Sequence, residues 1–281
     1  MTSPSSTPIL VTGGTGTLGR HVVPQLRAAG RAVRVLSRRA PDGTATADSA
    51  GGITYVAGDL STGDGIDAAA AGAEVVVHLA GTSKGDDDKA RHLVQAATRA
   101  GVRHLVYISV VGADAVPQAG RLDRAMFGYF GAKFAAERVV ADSGIPWTTL
   151  RATQFHDLML TAVAGMSKLP VVPVPSGFRF QPIDAGEVAD RLTELALGAP
   201  AGLVPDIAGP RVYGMDDLLR VYLRARGKHR LLVPMRVPGA AARAFRAGDN
   251  LAPDRAVGRR TWEDFLAERV DTGAPTAVVA A

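Results

Sequence analysis

Short apolar segments rich in β-branched residues alternate along this chain with amphipathic segments of helical period. The apolar segments predict strands, at Ile9–Thr12, Val33–Ser37, Ile53–Ala57, Glu74–Leu79, His104–Ser109 and Trp147–Leu150. The amphipathic segments predict helices, near Leu18–Ala29, Gly65–Ala71, Asp87–Ala100 and Met126–Ser143. Strands that alternate with helices indicate an α/β fold with a doubly wound parallel sheet, whose ligands lie at the carboxyl ends of the strands.

The pattern changes after residue 151. The segment Leu169–Pro175 holds three prolines and four aliphatic residues, and Phe178–Ile183 alternates in polarity. Helices are predicted at Ala185–Leu197, Met215–Arg226, Pro238–Gly248 and Trp262–Glu268. We therefore expect a disordered tail at residues 1–8, a sheet core at residues 9–155, and a smaller mixed C-terminal region at residues 156–281. This last region is expected to cap a substrate pocket and to form one compact unit with the core.

A glycine-rich turn separates the first predicted strand from the first predicted helix. Its glycines satisfy both G-x-x-G-x-x-G, through Gly13, Gly16 and Gly19, and G-x-G-x-x-G, through Gly14, Gly16 and Gly19. A pyrophosphate needs backbone N–H groups at close range, and it gains from the partial positive charge at a helix N-terminus. The strand and helix on either side strengthen this interpretation. We therefore predict a dinucleotide-binding turn made of Thr12, Gly13, Gly14, Thr15, Gly16, Thr17, Leu18 and Gly19.

The second predicted strand ends in Ser37, Arg38 and Arg39. A carboxylate at this position would read a free ribose 2′-hydroxyl, whereas a hydroxyl and two guanidinium groups suit a 2′-phosphate. The alternative is a solvated strand end in an arginine-rich protein. We predict that NADP(H) is preferred over NAD(H).

The ends of the next two strands carry further candidates. Asp59, followed by Leu60, comes just past the third strand, where an acid either accepts from the adenine amino group or caps the following turn. The small residues Ala80 and Gly81 follow the fourth strand and would let the cofactor pass close to the backbone.

Tyr129 and Lys133 form a Y-x-x-x-K pair in the fourth predicted helix. Four residues make about one helical turn, so both side chains project from one face. Such a pair can do acid–base work at a carbonyl, because a nearby ammonium favours the tyrosinate form and also binds a ribose. By contrast, Asp86–Asp88 is interpreted as a charge run at a helix N-terminus.

Composition limits the other function classes. The chain has 281 residues, no cysteine and a formal net charge of +5, with its basic residues spread along the sequence. We expect no disulfide, no cysteine metal site and, from the spacing of His, Asp and Glu, no metal at all. The first eight residues are unlike a signal peptide, and no apolar run is long enough to span a bilayer. We expect a cytoplasmic monomer or homodimer that binds a small-molecule substrate, with no nucleic-acid or membrane partner.

Seven segments together resemble the atypical short-chain dehydrogenase/reductases of the NmrA-like branch, and they run over nearly the whole chain. They are Val11–Gly19 (VTGGTGTLG), Val35–Arg38 (VLSR), Gly58–Leu60 (GDL), Tyr107–Asp114 (YISVVGAD), Tyr129–Lys133 with Ala135–Glu137, Pro146–Phe155 (PWTTLRATQF) and Thr261–Leu266 (TWEDFL). The resemblance implies a Rossmann domain, bound NADP(H) and a substrate pocket roofed by the C-terminal third.

The resemblance also implies roles for individual residues. Gly13, Gly16 and Gly19 would wrap the pyrophosphate, while Thr15 and Leu18 would line the turn. At the adenosine end, Arg38 would bind the 2′-phosphate and Asp59 would face adenine. Ala80 and Gly81 would border the middle of the cofactor, Lys133 would bind a ribose, and the backbone around Ala152, Thr153 and Gln154 would contact the nicotinamide end. Gln154 and His156 are the candidates for substrate contact.

The catalytic triad of the family transfers less completely. Tyr129 and Lys133 match, but the family's serine stands just past the fifth strand, where this chain has Ser109 followed by two valines. The leading hypothesis is an NADPH-dependent oxidoreductase that reduces a small apolar carbonyl or quinone-like substrate by hydride transfer. The alternative is a non-catalytic NADP(H) sensor that regulates a partner. An epimerase on the same fold is a third possibility, without a specific residue to support it.

Overall fold

The computed structural model describes residues 5–38, 52–81 and 85–271 of the chain. Within these ranges the strands are β1 (Ser5–Thr12), β2 (Arg31–Ser37), β3 (Ile53–Ala57), β4 (Val75–His78), β5 (His104–Val110), β6 (Trp147–Ala152), β7 (Val171–Pro175), β8 (Arg179–Phe180), β9 (Gly202–Leu203), β10 (Tyr213–Gly214) and β11 (Leu231–Met235). The helices are α1 (Gly19–Ala28), α2 (Ile66–Ala70), α3 (Asp86–Arg99), α4 (Arg121–Ala141), α5 (His156–Met166), α6 (Ala185–Leu197), α7 (Met215–Ala225), α8 (Ala240–Ala247) and α9 (Trp262–Asp271), with a 3₁₀ turn at Pro253–Arg255.

Seven strands form one sheet in the order β3-β2-β1-β4-β5-β6-β9. The pairs β3–β2, β2–β1, β1–β4, β4–β5 and β6–β9 are parallel. Every residue of β5 is buried, as expected for a central strand covered on both faces. Because β2 and β4 lie on opposite sides of β1, the strand order reverses at the carboxyl ends of β1 and β4, which is where doubly wound sheets bind ligands.

The chain divides into two compact units, and it passes between them several times rather than once near residue 155. The first unit comprises Met1–Ser109, Ala132–Leu150 and Gly186–Val204. Its apolar core includes Leu10 and Val76 from the sheet and Leu93 from α3, each fully buried. This unit holds most of the seven-stranded sheet and therefore the predicted dinucleotide-binding turn.

The second unit comprises Val110–Gly131, Arg151–Ala185 and Pro205–Ala281. Its core is richer in aromatic residues, and the rings of Phe127, Phe178, Phe180 and Phe245 pack together with Trp262 and Phe265 in the same cluster. Two small ribbons belong to this unit, the antiparallel pair β8–β10 and the parallel pair β7–β11.

The α/β fold, all six predicted strands and the eight predicted helices are confirmed, with end positions that differ by a few residues. The largest differences are at β1, which begins at Ser5 inside the expected tail, and at α4, which begins at Arg121. The glycines that follow the first four helices have φ in the left-handed region that is typical of helix ends, with values of 76° at Gly30, 68° at Gly72, 71° at Gly101 and 74° at Gly144. Helix α5 and the parallel pairing of β7 with β11 were not predicted.

Among the described residues, no helix combines the length and the apolar character needed to cross a membrane.

Candidate functional site

Three glycines of the β1–α1 turn are required by close backbone packing. Gly13 has φ of 71°, and a Cβ there would lie 2.7 Å from the Ala80 amide nitrogen at the end of β4. A Cβ at Gly14 would lie 2.8 Å from a methyl of Val35, and one at Gly19 would overlap the backbone of Gly13 and Gly14. The turn is therefore pressed against both neighbouring strands and against the start of α1.

Gly16 differs from these three glycines, because it is exposed and a Cβ there would meet only the Gly13 carbonyl oxygen, at 3.2 Å. Apart from that oxygen and the two residues next to Gly16 in the chain, no atom of the described chain lies within 4 Å of this side-chain position. Helix α1 has no acidic residue in its first turn and no side chain that caps its N-terminus. The turn therefore leaves backbone N–H groups available to an anion, and a side chain at Gly16 would intrude on that space. These features fit the pyrophosphate of a dinucleotide.

A buried hydrogen bond ties the ends of β1 and β4 together beneath this turn. The Thr12 hydroxyl lies 2.7 Å from Nδ1 of His78, and the same oxygen accepts from the Ala80 amide at 3.5 Å. Burial, with smaller effects from Lys133 and Lys89, lowers the pKa of His78 to about 3. The neutral ring also stacks on Tyr107, with 5.3 Å between the centroids. His78 is thus a packed residue that holds the Ala80 backbone in place, rather than a candidate base.

Lys133 lies in a buried polar cluster of the first unit. Its ammonium is 3.3 Å from a carboxylate oxygen of Asp86, donates to the Ile108 carbonyl at 3.4 Å, and lies 5.1 Å from the Tyr107 ring centroid. A Cβ on Gly81 would come within 2.6 Å of the Lys133 Nζ atom. The glycine thus leaves the ammonium room beside the loop that follows β4. This is the loop along which the cofactor was predicted to pass.

Asp86 is a buried member of this polar cluster that was not among the predicted site residues. It is only 1% exposed and lies between Lys133 and Lys89, whose ammonium is 3.8 Å away. The prediction of a charge run at a helix N-terminus is confirmed, because Asp86, Asp87 and Asp88 all lie in the first turn of α3. Asp87 and Asp88 pair with Arg91, whereas Asp86 pairs with Lys133. A signal was available in the sequence: Asp86 precedes the buried Ala90 and Leu93 at the helical spacing of four and seven.

The residues predicted to bind the adenosine end are only partly described. Ser37 ends β2 half-buried, Arg38 follows it exposed, and Arg39 lies outside the described residues. The Asp59 carboxylate accepts a hydrogen bond from the Ser61 amide at 2.8 Å, and this bond is the main cause that lowers the pKa of Asp59. The charges of Arg38 and Lys89 lower it further by smaller amounts, whereas burial has the opposite effect. Asp59 therefore caps its turn, and the adenine contact stays a prediction. Leu60 is buried in the core of the first unit.

The proposed catalytic residues differ in their surroundings. Tyr129 and Lys133 both lie in α4, one turn apart. Tyr129 is half-buried and packs against the core of the second unit, with its ring edge-on to Phe130. Ser109 lies inside β5 rather than past its end, is 5% exposed, and its hydroxyl has no hydrogen-bond partner among the described residues.

The second unit holds the residues predicted for the nicotinamide and substrate end. Ala152 ends β6, and its carbonyl accepts from the Val111 amide. Thr153 accepts from the Gly209 amide at 3.4 Å, while both polar side-chain atoms of the buried Gln154 lack a partner in the described part of the chain.

His156 is fully buried at the start of α5, where it stacks on Phe265 with 4.9 Å between centroids. Neither of its ring nitrogens has a hydrogen-bond partner among the residues that the structure describes. Desolvation lowers its pKa to about 4, against the opposing effect of the Asp184 carboxylate. The ring is therefore neutral in the folded protein, and its predicted contact with substrate stays a prediction.

Comparison with known proteins agrees with this geometry. The family described as NAD(P)H-binding matches residues 13–179. A (4-alkanoyl-5-oxo-2,5-dihydrofuran-3-yl)methyl phosphate reductase of Streptomyces griseus is 32% identical over 164 residues, which are 58% of this chain and 54% of that protein. Quinone oxidoreductase 2 of Escherichia coli is 29% identical over 51% of this chain and 47% of its own. The chain thus spans about half the length of these two relatives.

Solved structures show the same fold. An NADPH complex of the E. coli NADPH-dependent quinone oxidoreductase superposes with a TM-score of 0.75 at 20% identity, over 92% of this chain and 99% of that one. The triphenylmethane reductase of Citrobacter sp., complexed with NADP(H), gives a TM-score of 0.72 at 19% identity, over 94% and 99% of the two chains.

Proposed function

Since this chain belongs to the NAD(P)H-binding family, we propose that it is an NADPH-dependent oxidoreductase that reduces a small apolar carbonyl or quinone-like substrate. The observation that carries the proposal is the β1–α1 turn, where three glycines are required by packing and the fourth, Gly16, is exposed and has only the Gly13 carbonyl oxygen near its side-chain position. The reductases and NADPH complexes among its relatives support the reaction class, and the sequence segments quoted above support the NmrA-like branch.

In this proposal the residues of the chain have separate tasks. The backbone of the turn from Gly13 to Gly19 holds the pyrophosphate, Arg38 pairs with the 2′-phosphate, and Lys133 donates to a ribose hydroxyl. The nicotinamide, when bound, supplies hydride to the substrate. Tyr129 donates the proton from its hydroxyl to the substrate oxygen, with the ammonium of Lys133 one helical turn further along α4.

Turnover by a tyrosine variant tests the proposal. NADPH oxidation is followed with a panel of quinones and apolar carbonyls for the wild type, Tyr129→Phe and the control Tyr55→Phe, which alters a tyrosine of β3. We expect Tyr129→Phe to reduce kcat by about 10²–10⁴, the usual contribution of general acid–base catalysis, with NADPH affinity nearly unchanged. The control should behave as the wild type. If Tyr129→Phe reduces a carbonyl at the wild-type rate, the hydroxyl is not the proton donor.

A non-catalytic NADP(H) sensor is the second candidate, and the position of Ser109 favours it. The hydroxyl is buried within β5, whereas the resembling family has its serine beyond the strand end. A sensor would bind NADPH in a calorimetric titration and would oxidise it with no member of the panel.

A further inference from the structure

The parallel ribbon of β7 and β11 has an apolar face that the rest of the described chain leaves exposed. Leu231 pairs with Val171, Val233 with Pro173, and Met235 with Pro175. Residues paired across a ladder project to the same side, so these six positions share one face, here termed the outer face of the ribbon.

The outer face is unusual because parallel strands are normally covered on both sides. The opposite face of β7 is covered, with Val172 and Val174 buried in the core of the second unit. On the outer face, however, Leu231 is 64% exposed, Val171 is 49% exposed and Met235 is 48% exposed. A cluster of large aliphatic side chains in water is typical of an interaction surface.

The two chain segments that contain the strands of this ribbon carry charges of a single sign. Residues 218–248, which include β11, contain eight Lys and Arg residues and no Asp or Glu. The chain as a whole has 32 basic and 27 acidic residues, so this segment alone accounts for its positive net charge. Residues 158–183, which include β7, likewise contain two basic residues and no acidic one.

These basic side chains lie at the ends of the ribbon. Lys168 precedes β7, Lys228 and Arg230 precede β11, and Arg236 follows it. In the described part of the chain none of the four forms an ion pair, and the Arg230 guanidinium instead donates to the Ser167 carbonyl at 3.0 Å, which links the two segments. The positive charge is therefore available to an anionic partner.

We propose that the outer face of the ribbon docks on an anionic lipid surface, with its aliphatic side chains at the boundary of headgroups and acyl chains and its basic side chains on the lipid phosphates. An apolar face rimmed by Lys and Arg is the combination that binds peripheral proteins to such membranes. A second copy of the chain is a poorer occupant, because a two-fold contact would bring the like charges of both copies together. Nucleic acid offers no counterpart for exposed leucine and valine.

This docking revises the expectation of no membrane partner. That expectation rested on the absence of an apolar run long enough to span a bilayer, and this criterion does not detect a strand whose alternate aliphatic residues face outward. The docking is independent of the proposed reaction, because none of these residues belongs to the cofactor-binding turn.

Flotation with vesicles tests the proposal. The full-length protein is mixed with vesicles of phosphatidylglycerol and phosphatidylcholine in equal parts, or of phosphatidylcholine alone, at low and at raised salt. We expect flotation with the anionic vesicles, loss of most of it at raised salt, and little with the neutral ones. Failure to float with anionic vesicles would overturn the proposal.

Paired variants separate the two parts of the surface. Leu231→Asp with Val233→Asp, and Lys228→Glu with Arg236→Glu, should each weaken binding to the anionic vesicles by about tenfold or more. The controls are Leu203→Asp, which alters a leucine of β9 that is 52% exposed, and Arg27→Glu at the end of α1. Equal flotation of test and control variants contradicts the proposal. The proposal is also contradicted if light scattering shows a dimer and the double variant Leu231→Asp with Val233→Asp dissociates it. A second copy of the chain would then cover the outer face. Circular dichroism and the urea midpoint of each variant verify that it is folded.

Discussion

At the scale of single residues, the strongest electrostatic feature of the site is the carboxylate of Asp86 between two ammonium groups. Asp86 and Lys133 are both almost fully buried, so their charges are costly to desolvate, and their mutual attraction offsets part of that cost. This arrangement holds the Lys133 ammonium under the Gly81 loop, where the proposed function requires it.

We predict that Asp86→Asn destabilises the protein by about 3 kcal/mol, because Lys133 then keeps a buried charge without this carboxylate. Lys133→Met should cost a similar amount, whereas the double variant should recover part of the loss, since it removes both buried charges. Urea unfolding of the four proteins measures the coupling. If the two single losses add in the double variant, the ion pair contributes nothing to stability.

Arg38 carries the predicted choice of cofactor. It is exposed at the end of β2, beside the position where an acidic side chain would accept a hydrogen bond from a free ribose 2′-hydroxyl. We expect NADPH to bind at least about tenfold more tightly than NADH, and Arg38→Ala to remove about 1.5–3 kcal/mol of NADPH binding while NADH binding changes little. Calorimetric titration of both cofactors measures this, with Arg27→Ala as the control for loss of an exposed arginine. Equal wild-type affinities would contradict the prediction.

At the scale of elements, local signals predicted the first unit well. Helix α1 follows β1 and its glycine turn within a few residues. The hydrophobic pattern and the turn residues were therefore sufficient to predict all three. The second unit depends on pairing over long distances. β7 and β11 are about 60 residues apart in the chain, and β8 and β10 have two residues each, too few for any alternation to be seen. α5 carries apolar residues on most of its surface and therefore has no clear helical period.

The β1–α1 turn offers a matched pair of substitutions. Gly16→Ala adds a methyl where only the Gly13 carbonyl oxygen is near, so the variant should unfold at nearly the wild-type urea concentration. Its NADPH binding should fall by about 1.5–3 kcal/mol, because the methyl separates the phosphates from the backbone N–H groups.

Gly19→Ala adds the same methyl against the backbone of Gly13 and Gly14 and should cost about 1–3 kcal/mol of stability. Urea unfolding and NADPH titration of both variants measure the two effects. Undiminished NADPH affinity in folded Gly16→Ala would place the cofactor elsewhere.

At the scale of the whole molecule, burial keeps three histidines neutral, namely His78 and His104 in the first unit and His156 in the second. Burial lowers the pKa of His78, in the first unit, to about 3 and that of His156, in the second, to about 4. The burial of these rings could not be predicted from the sequence, because it depends on residues distant in the chain. For His156 these are the stacked rings of Trp262 and Phe265.

His78 and His156 predict how stability depends on pH. An unfolded chain protonates its histidines below about pH 6.5, whereas the folded protein keeps both rings neutral until their lowered pKa values are reached. Their contribution to the free energy of unfolding is therefore complete above pH 6.5. Below that pH the contribution of each ring falls by about 1.4 kcal/mol per pH unit, down to about pH 4 for His156 and about pH 3 for His78.

The urea midpoint should accordingly drop between pH 7.5 and pH 5. His156→Phe keeps an aromatic ring against Phe265, has no nitrogen to protonate, and should remove part of that drop, while His78 and His104 account for the rest. The control His229→Gln alters an exposed histidine of the second unit. If His156→Phe loses as much stability as the wild type over this range, His156 is not the buried neutral group that destabilises the fold in acid.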